Sequence, residues 1–212
     1  MIQEETIQKQ IVTKINYKKT MKSILIFFIT LLSITANSQI IELCNYESDP
    51  DEAPSGTYFK DVNNTFTPFL GTWQYTNGNE VITFKIEKVT HYYVTENQIY
   101  EDFLVGNYNY SQDGGLTNIV NEIPPSLLDE SPDASVMYSP CAKDSPNKVT
   151  MTFFDVILDK GFGLITFEFL PGSTTQMQVT LANEQGTYGH LVGETAHNFN
   201  FSIPTSFVVT KQ

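Results

Sequence analysis

The residues of this chain best suited to chemistry are three histidines, two cysteines and two acidic clusters. A zinc site needs His or Cys ligands at short, fixed spacing. His91, His190 and His197 have no second His or Cys at such a distance. They read as ordinary surface or loop histidines, and no metal is expected. Asp49-Pro50-Asp51-Glu52 and Asp129-Glu130-Ser131-Pro132-Asp133 concentrate carboxylates that could hold calcium. Neither follows the ordered ligand spacing of a calcium loop, so solvated charge is the reading adopted. Tyr92, Tyr93 and Tyr100 could form a rim on which a sugar or other ligand stacks; cross-strand aromatic packing is the simpler alternative. No Gly-x-Ser-x-Gly elbow is present, and paired carboxylates for glycoside hydrolysis cannot be assigned without geometry. No catalytic residue and no cofactor are therefore expected.

The overall charge narrows the partners. The chain carries 24 acidic and 12 basic residues, net −12, and every basic residue is lysine. Without arginine there is no guanidinium fork for bidentate phosphate or carboxylate recognition. A negative surface also repels nucleic acid and anionic headgroups, which excludes a nucleic-acid partner.

What must position any site begins after a leader. Met21-Lys22-Ser23 opens an apolar run from Ile24 to Ile34, followed by Thr35-Ala36-Asn37-Ser38. A basic start, an apolar core and small residues at Ala36 and Ser38 have the form of a secretory signal over 21–38, cut before Gln39. The run is well short of the ~20 apolar residues of a membrane span, so a retained anchor is the lesser alternative and no stable span is expected after cleavage. Residues 1–20 read as a possible upstream overextension, with Met21 as the start. Cutting at Ser38 removes two glutamates and five lysines and leaves a net charge of −15. Export to the periplasm or medium places Cys44 and Cys141 in an oxidising compartment. A disulfide between them is expected, worth up to ~4 kcal/mol for so long a loop; two free buried thiols are the alternative.

Residues 39–68 read as an irregular N-terminal arm with one possible edge strand at 56–61, and 69–212 as a single β domain. Gly71 to Thr76 and Glu80 to Val89 alternate around Asn77-Gly78, a strong hairpin signal. Further strands are expected at 101–110, 116–121, 148–155, 162–170, 176–181 and 206–211. Between them, 122–147 contains Pro124, Pro125, Pro132, Pro140 and Pro146 and is expected to be a long loop that carries no ladder. Eight strands joined mostly by short turns suit an all-β, antiparallel, up-and-down barrel; a two-sheet β-sandwich is the alternative.

Phe69-Leu70-Gly71-Thr72-Trp73 resembles the opening of calycin-type barrels, namely lipocalins, fatty-acid-binding proteins and avidins. The resemblance implies a barrel stoppered by Trp73, with a basic side chain of the last strand, here Lys211 in place of the usual arginine, packed across it. With the Asn77-Gly78 turn and the Pro204 to Gln212 ending, the mature chain also resembles an uncharacterised domain-of-unknown-function family of exported Bacteroidetes-type proteins. No activity comes with that likeness.

Two functions follow as expectations. One is non-enzymatic binding of a small apolar or amphipathic ligand in the barrel or at its mouth. The other is a cell-envelope interaction or structural protein that binds a protein partner, unidentified by sequence, through its loops and acidic face. An empty interior of ~300 Å³ or more favours the first, a filled one the second.

Overall fold

The computed structural model describes residues 21–22, 39–43, 50–121, 137–139, 146–184 and 198–212. The chain divides into two units, Met1–Ser38 and Gln39–Gln212. In the first, Met21 and Lys22 are helical; every described strand belongs to the second. No helix among the described residues is long and apolar enough to cross a membrane.

The hairpin of β3 (Gly71–Asn77) and β4 (Glu80–Val94) forms where alternation placed it. Asn77 pairs with Glu80, so the two loop residues are Gly78 and Asn79 rather than Asn77 and Gly78. Gly78 has φ +59°, which a tight hairpin needs at its first loop position and which glycine adopts without strain. Along β4, Ile82, Phe84 and Ile86 are fully buried, while Val81, Thr83 and Lys85 are half-exposed. The strand runs beyond Val89 to Val94 through a bulge between Val89 and Tyr92, where His91 takes φ +56°. The extra residue reverses which parity faces inward, so simple alternation ended the strand too early. β5 (Ile99–Ser111) is buried on both faces over much of its length. A small cluster of Val89, Phe103 and Val105, with Tyr92 packed on it, is separate from the main core.

Four later strands pair antiparallel in succession: β8 (Lys148–Asp155), β9 (Lys160–Phe169), β10 (Gln176–Asn183) and β11 (Ser206–Lys211). Their inward positions are apolar at every second residue, including Val149, Met151 and Phe153 on β8 and Met177, Val179 and Leu181 on β10. β11 returns to β3 through Thr210–Gln74 and Lys211–Trp73. Buried Asp155 ties down the chain entering β11. It accepts hydrogen bonds from Ser202 N and Oγ, both at 2.6 Å, and from Leu158 N at 3.2 Å.

Three features depart from the expected up-and-down antiparallel barrel of eight strands. Eleven strands join one sheet among the described residues, where eight are expected, and two packed sheets are not formed. The sheet is mixed: β1 (Ile40–Glu42) lies parallel to β2 (Tyr58–Lys60), and β2 parallel to β5. β2 falls within the strand expected at 56–61, though between β1 and β5 rather than at an edge, and β1 forms where irregular chain is expected. Third, β7 (Met137–Ser139) falls inside the expected loop and pairs with both β8 and β5. The prolines of that segment flank these three residues, which leaves their backbone donors free for a ladder. The strand expected over 116–121 shrinks to β6 (Val120–Asn121). Ahead of it, Asp113 Oδ1 accepts from Ser111 Oγ at 2.6 Å and Thr117 N at 2.8 Å, holding 111–117 as a turn.

Side chains from distant strands meet over the apolar face of the sheet. Phe84 on β4 is 5.4 Å from Phe167 on β9, ring centroid to centroid, though β3, β11 and β10 lie between them in strand order. Phe84 also stacks on Phe207 at 6.1 Å and meets Tyr108 at 6.1 Å; Tyr108 meets Phe153 at 5.5 Å. The sheet thus coils over its own apolar face, and these rings occupy the space within it.

Candidate functional site

The Trp73 end of the sheet is assembled by local sequence. A 3₁₀ turn, Thr67–Phe69, with Pro68 in it, leads through extended Leu70 to Gly71 at φ +115°. Only glycine adopts that angle easily, and a Cβ there would meet Lys211 Cε at 3.4 Å. Trp73 is fully buried, and its Nε1 donates to the Phe69 carbonyl at 2.8 Å, so the indole has no unpaired donor. Phe169 meets it edge-on at 5.8 Å.

Lys211 reaches Trp73 through sheet parity. Phe207, Val209 and Lys211 share one face of β11, and the first two are buried in the core. Lys211 is the last inward position, directly opposite Trp73. Its Nζ stands over the indole, 5.1 Å from the ring centroid, and the side chain is exposed, a cation over a π face with its head in water. The structure therefore brings together the two residues named from sequence for this end.

Beside them is a cleft of about 360 Å³. Phe169, Pro68 and Pro146 give it an apolar wall, and Asn147, Ser173, Thr174 and Lys211 line the rest. Ser173 Oγ accepts from Thr175 N and Gln176 N, which fixes the β9–β10 turn. No described carboxylate forms an ion pair with Lys211.

The tyrosines proposed as a rim lie on the part of the β4–β5 hairpin that extends past Gly71. They contact protein rings: Tyr93 meets its cross-strand partner Tyr100 at 5.1 Å, and Tyr92 meets Phe103 at 5.3 Å. His91 stacks on Tyr100 at 4.2 Å and takes the edge of Tyr58 at 4.6 Å.

Beneath this stack is a charged cluster that the sequence did not reveal. Lys88 Nζ lies 2.9 Å from Asp61 Oδ2 and 3.5 Å from Asp102 Oδ2, and both carboxylates are almost completely buried. Asp102 also accepts from Tyr58 OH at 2.6 Å, His91 N at 3.0 Å and Asp61 N at 3.1 Å. Asp61 accepts from Thr65 N at 2.6 Å and Phe66 N at 3.3 Å. With these lone pairs committed to protein donors, the cluster is a clasp joining β2 to β4 and β5 rather than an open acid–base pair. The one sequence signal was Asp102 sharing the parity of buried Leu104.

Burial, with the adjacent Asp102 carboxylate, holds the Tyr58 hydroxyl well above its ordinary pKa. A raised native pKa contributes stability that is complete below the unfolded value of about 10 and is lost as pH rises further. Tyr58→Phe is expected to cost about 1.5–3 kcal/mol at neutral pH through the lost charge-assisted bond. It should also flatten the loss of stability above pH 10. Urea titrations of both proteins from pH 8 to 11 check this, and parallel alkaline limbs would refute it.

The remaining sequence candidates divide by position. Pro50–Glu52 forms a 3₁₀ turn with Asp51 and Glu52 exposed, in which Asp51 Oδ1 accepts from Asn97 Nδ2 at 2.8 Å. No group of three His, Cys, Asp or Glu among the described residues could hold a metal ion. Cys44, Cys141, His190, His197, Asp49 and 129–133 lie outside the described residues, and the disulfide falls there with them.

No curated protein and no solved structure matches the chain. A family model does match, over residues 18–212, which is nearly all of the sequence, and on that extent this chain belongs to the family of unknown function DUF6705.

Proposed function

We propose that this protein is an exported, non-enzymatic binding module that holds a small amphipathic ligand in the end cleft beside Trp73, outside its packed interior. The observation that carries this reading is the Lys211 ammonium, with no described carboxylate paired to it, at the edge of a cleft of about 360 Å³ with an apolar wall. That volume is within the range of small-ligand sites. A head group with acceptor oxygens would take Lys211 and the Ser173 and Thr174 hydroxyls, and an apolar body would lie on Phe169 and Pro68. The contact of Phe84 with Phe167 fills the interior, which counts against a ligand within the sheet and for the protein-partner reading; the end cleft keeps the ligand reading first.

Three finer readings belong to the proposal. Closure of the sheet into a calycin-like barrel is supported by the pairing of β7 with both β8 and β5 and by Lys211 over Trp73. Export rests on the signal pattern at 21–38, and a Bacteroidetes-type source on the sequence resemblance. The absence of catalysis rests on the lack of any recognisable catalytic motif.

Displacement of a fluorescent amphiphile tests the site. Binding should weaken about tenfold or more in Lys211→Met when the head group is a carboxylate, the scale of one charge-assisted bond. It should change little when the head group is uncharged. No saturable binding by the wild-type protein would overturn the reading. It would leave a protein-binding surface as the alternative, favoured by the exposed Phe154, Ile157 and Leu158 at the β8–β9 turn.

A further inference from the structure

The boundary between the two units of the chain falls between Ser38 and Gln39, the same bond at which the signal pattern places cleavage. Gln39 is exposed, and the next residue begins β1. Its carbonyl accepts from Tyr58 N at 2.8 Å, which sets the first rung of the parallel pairing. β1 is an edge strand of three residues, attached to the sheet through β2 and anchored by buried Ile41 and, just after it, Leu43.

We propose that Gln39, once cleavage frees its α-amine, closes to an N-terminal pyroglutamyl lactam. The inference rests on the export reading above. In the reaction the unprotonated α-amine attacks the side-chain amide carbon Cδ. A new N–Cδ bond forms, the bond from Cδ to the side-chain nitrogen breaks, and that nitrogen leaves as ammonia with one proton taken from the α-amine. No oxidant or reductant is needed.

The geometry accommodates the product. The five-membered ring contains N, Cα, Cβ, Cγ and Cδ but not the main-chain carbonyl, so the bond from Tyr58 is kept. The exposed side chain leaves space for ring closure. The product lacks the α-ammonium charge, which enzymes that trim from a free amino terminus require. Chain termini are where proteolysis concentrates, and loss of Gln39 through Ile41 would remove the anchor of β1. The lactam thus protects the edge strand from stepwise removal.

The test is mass spectrometry of the N-terminal peptide from the full chain, freshly exported by a bacterial host, together with aminopeptidase digestion. A peptide beginning at residue 39, lighter than unmodified Gln39 by one ammonia and resistant to aminopeptidase until pyroglutamyl peptidase is added, is expected. Gln39→Ala, cleaved at the same bond, should be trimmed without that enzyme. A peptide beginning at Gln39 with a free amine and intact amide would overturn the lactam and leave export standing. A peptide reading continuously from residue 38 into 39 would overturn both.

Discussion

Lys88→Met is expected to destabilise the fold by about 3–5 kcal/mol, the cost of breaking a buried ion pair by removing one partner. Lys88 places one ammonium against two nearly buried carboxylates, Asp61 and Asp102. Methionine preserves much of the stem's volume but leaves two like charges close together in a poorly hydrated site. Backbone donors and Tyr58 OH still serve both acids, yet none carries a full positive charge. Asp102→Asn in the Lys88→Met background should recover part of the loss because it removes one of the opposing charges. Urea unfolding of the wild type, the single variants and the double variant measures the coupling. A loss below about 1 kcal/mol for Lys88→Met would mean that water reaches the cluster and that the pair behaves as a surface salt bridge.

Trp73→Ala should have an effect of the same order, about 3–5 kcal/mol, for a different reason. It empties a fully buried site and leaves the Phe69 carbonyl without the donor it now has at 2.8 Å. It also removes the ring over which the Lys211 ammonium stands. Lys211→Met separates these contributions. Lys211 is exposed, and a cation–π contact at an exposed site is worth about 0.5–1 kcal/mol, so that variant should stay within this range of wild type in stability. Thermal melts followed by circular dichroism compare the three proteins. Trp73 is the chain's single tryptophan, so the fluorescence of Lys211→Met reports the indole environment directly. Equal destabilisation by both variants would shift the weight of this end from burial to the ammonium.

The parts of the fold legible from sequence were those decided by neighbours along the chain. Alternation in Gln176–Asn183 and Ser206–Lys211 fixed which side chains face inward, because a strand's period is two whatever it pairs with. The pairing of Lys211 with Trp73 came from the resemblance to calycin openings; the structure supplies its reason, since Lys211 shares a face with Phe207 and Val209 and the last strand pairs with the first. The β3–β4 hairpin was legible because glycine at a loop position answers a local demand for positive φ.

Where the outcome depended on segments far apart in the chain, local pattern was silent. Three residues at Met137–Ser139 became a strand because β5 and β8 presented edges to them, not because of their own composition. The single-residue bulge at His91 reversed the parity that had made β4 readable. Asp61, Lys88 and Asp102 look like solvated charges when taken singly. Their burial is tolerable only because the crossover of β2 brings the donors and the opposite charge to one point. Sequence by itself thus determined the all-β character and the inward stripe, since side-chain direction along a strand is a local property, while resemblance named the residues of the Trp73 end. Tertiary structure alone decided the parallel arm, the double pairing of β7 and the charged clasp, since each is stabilised by partners that only the folded chain brings together.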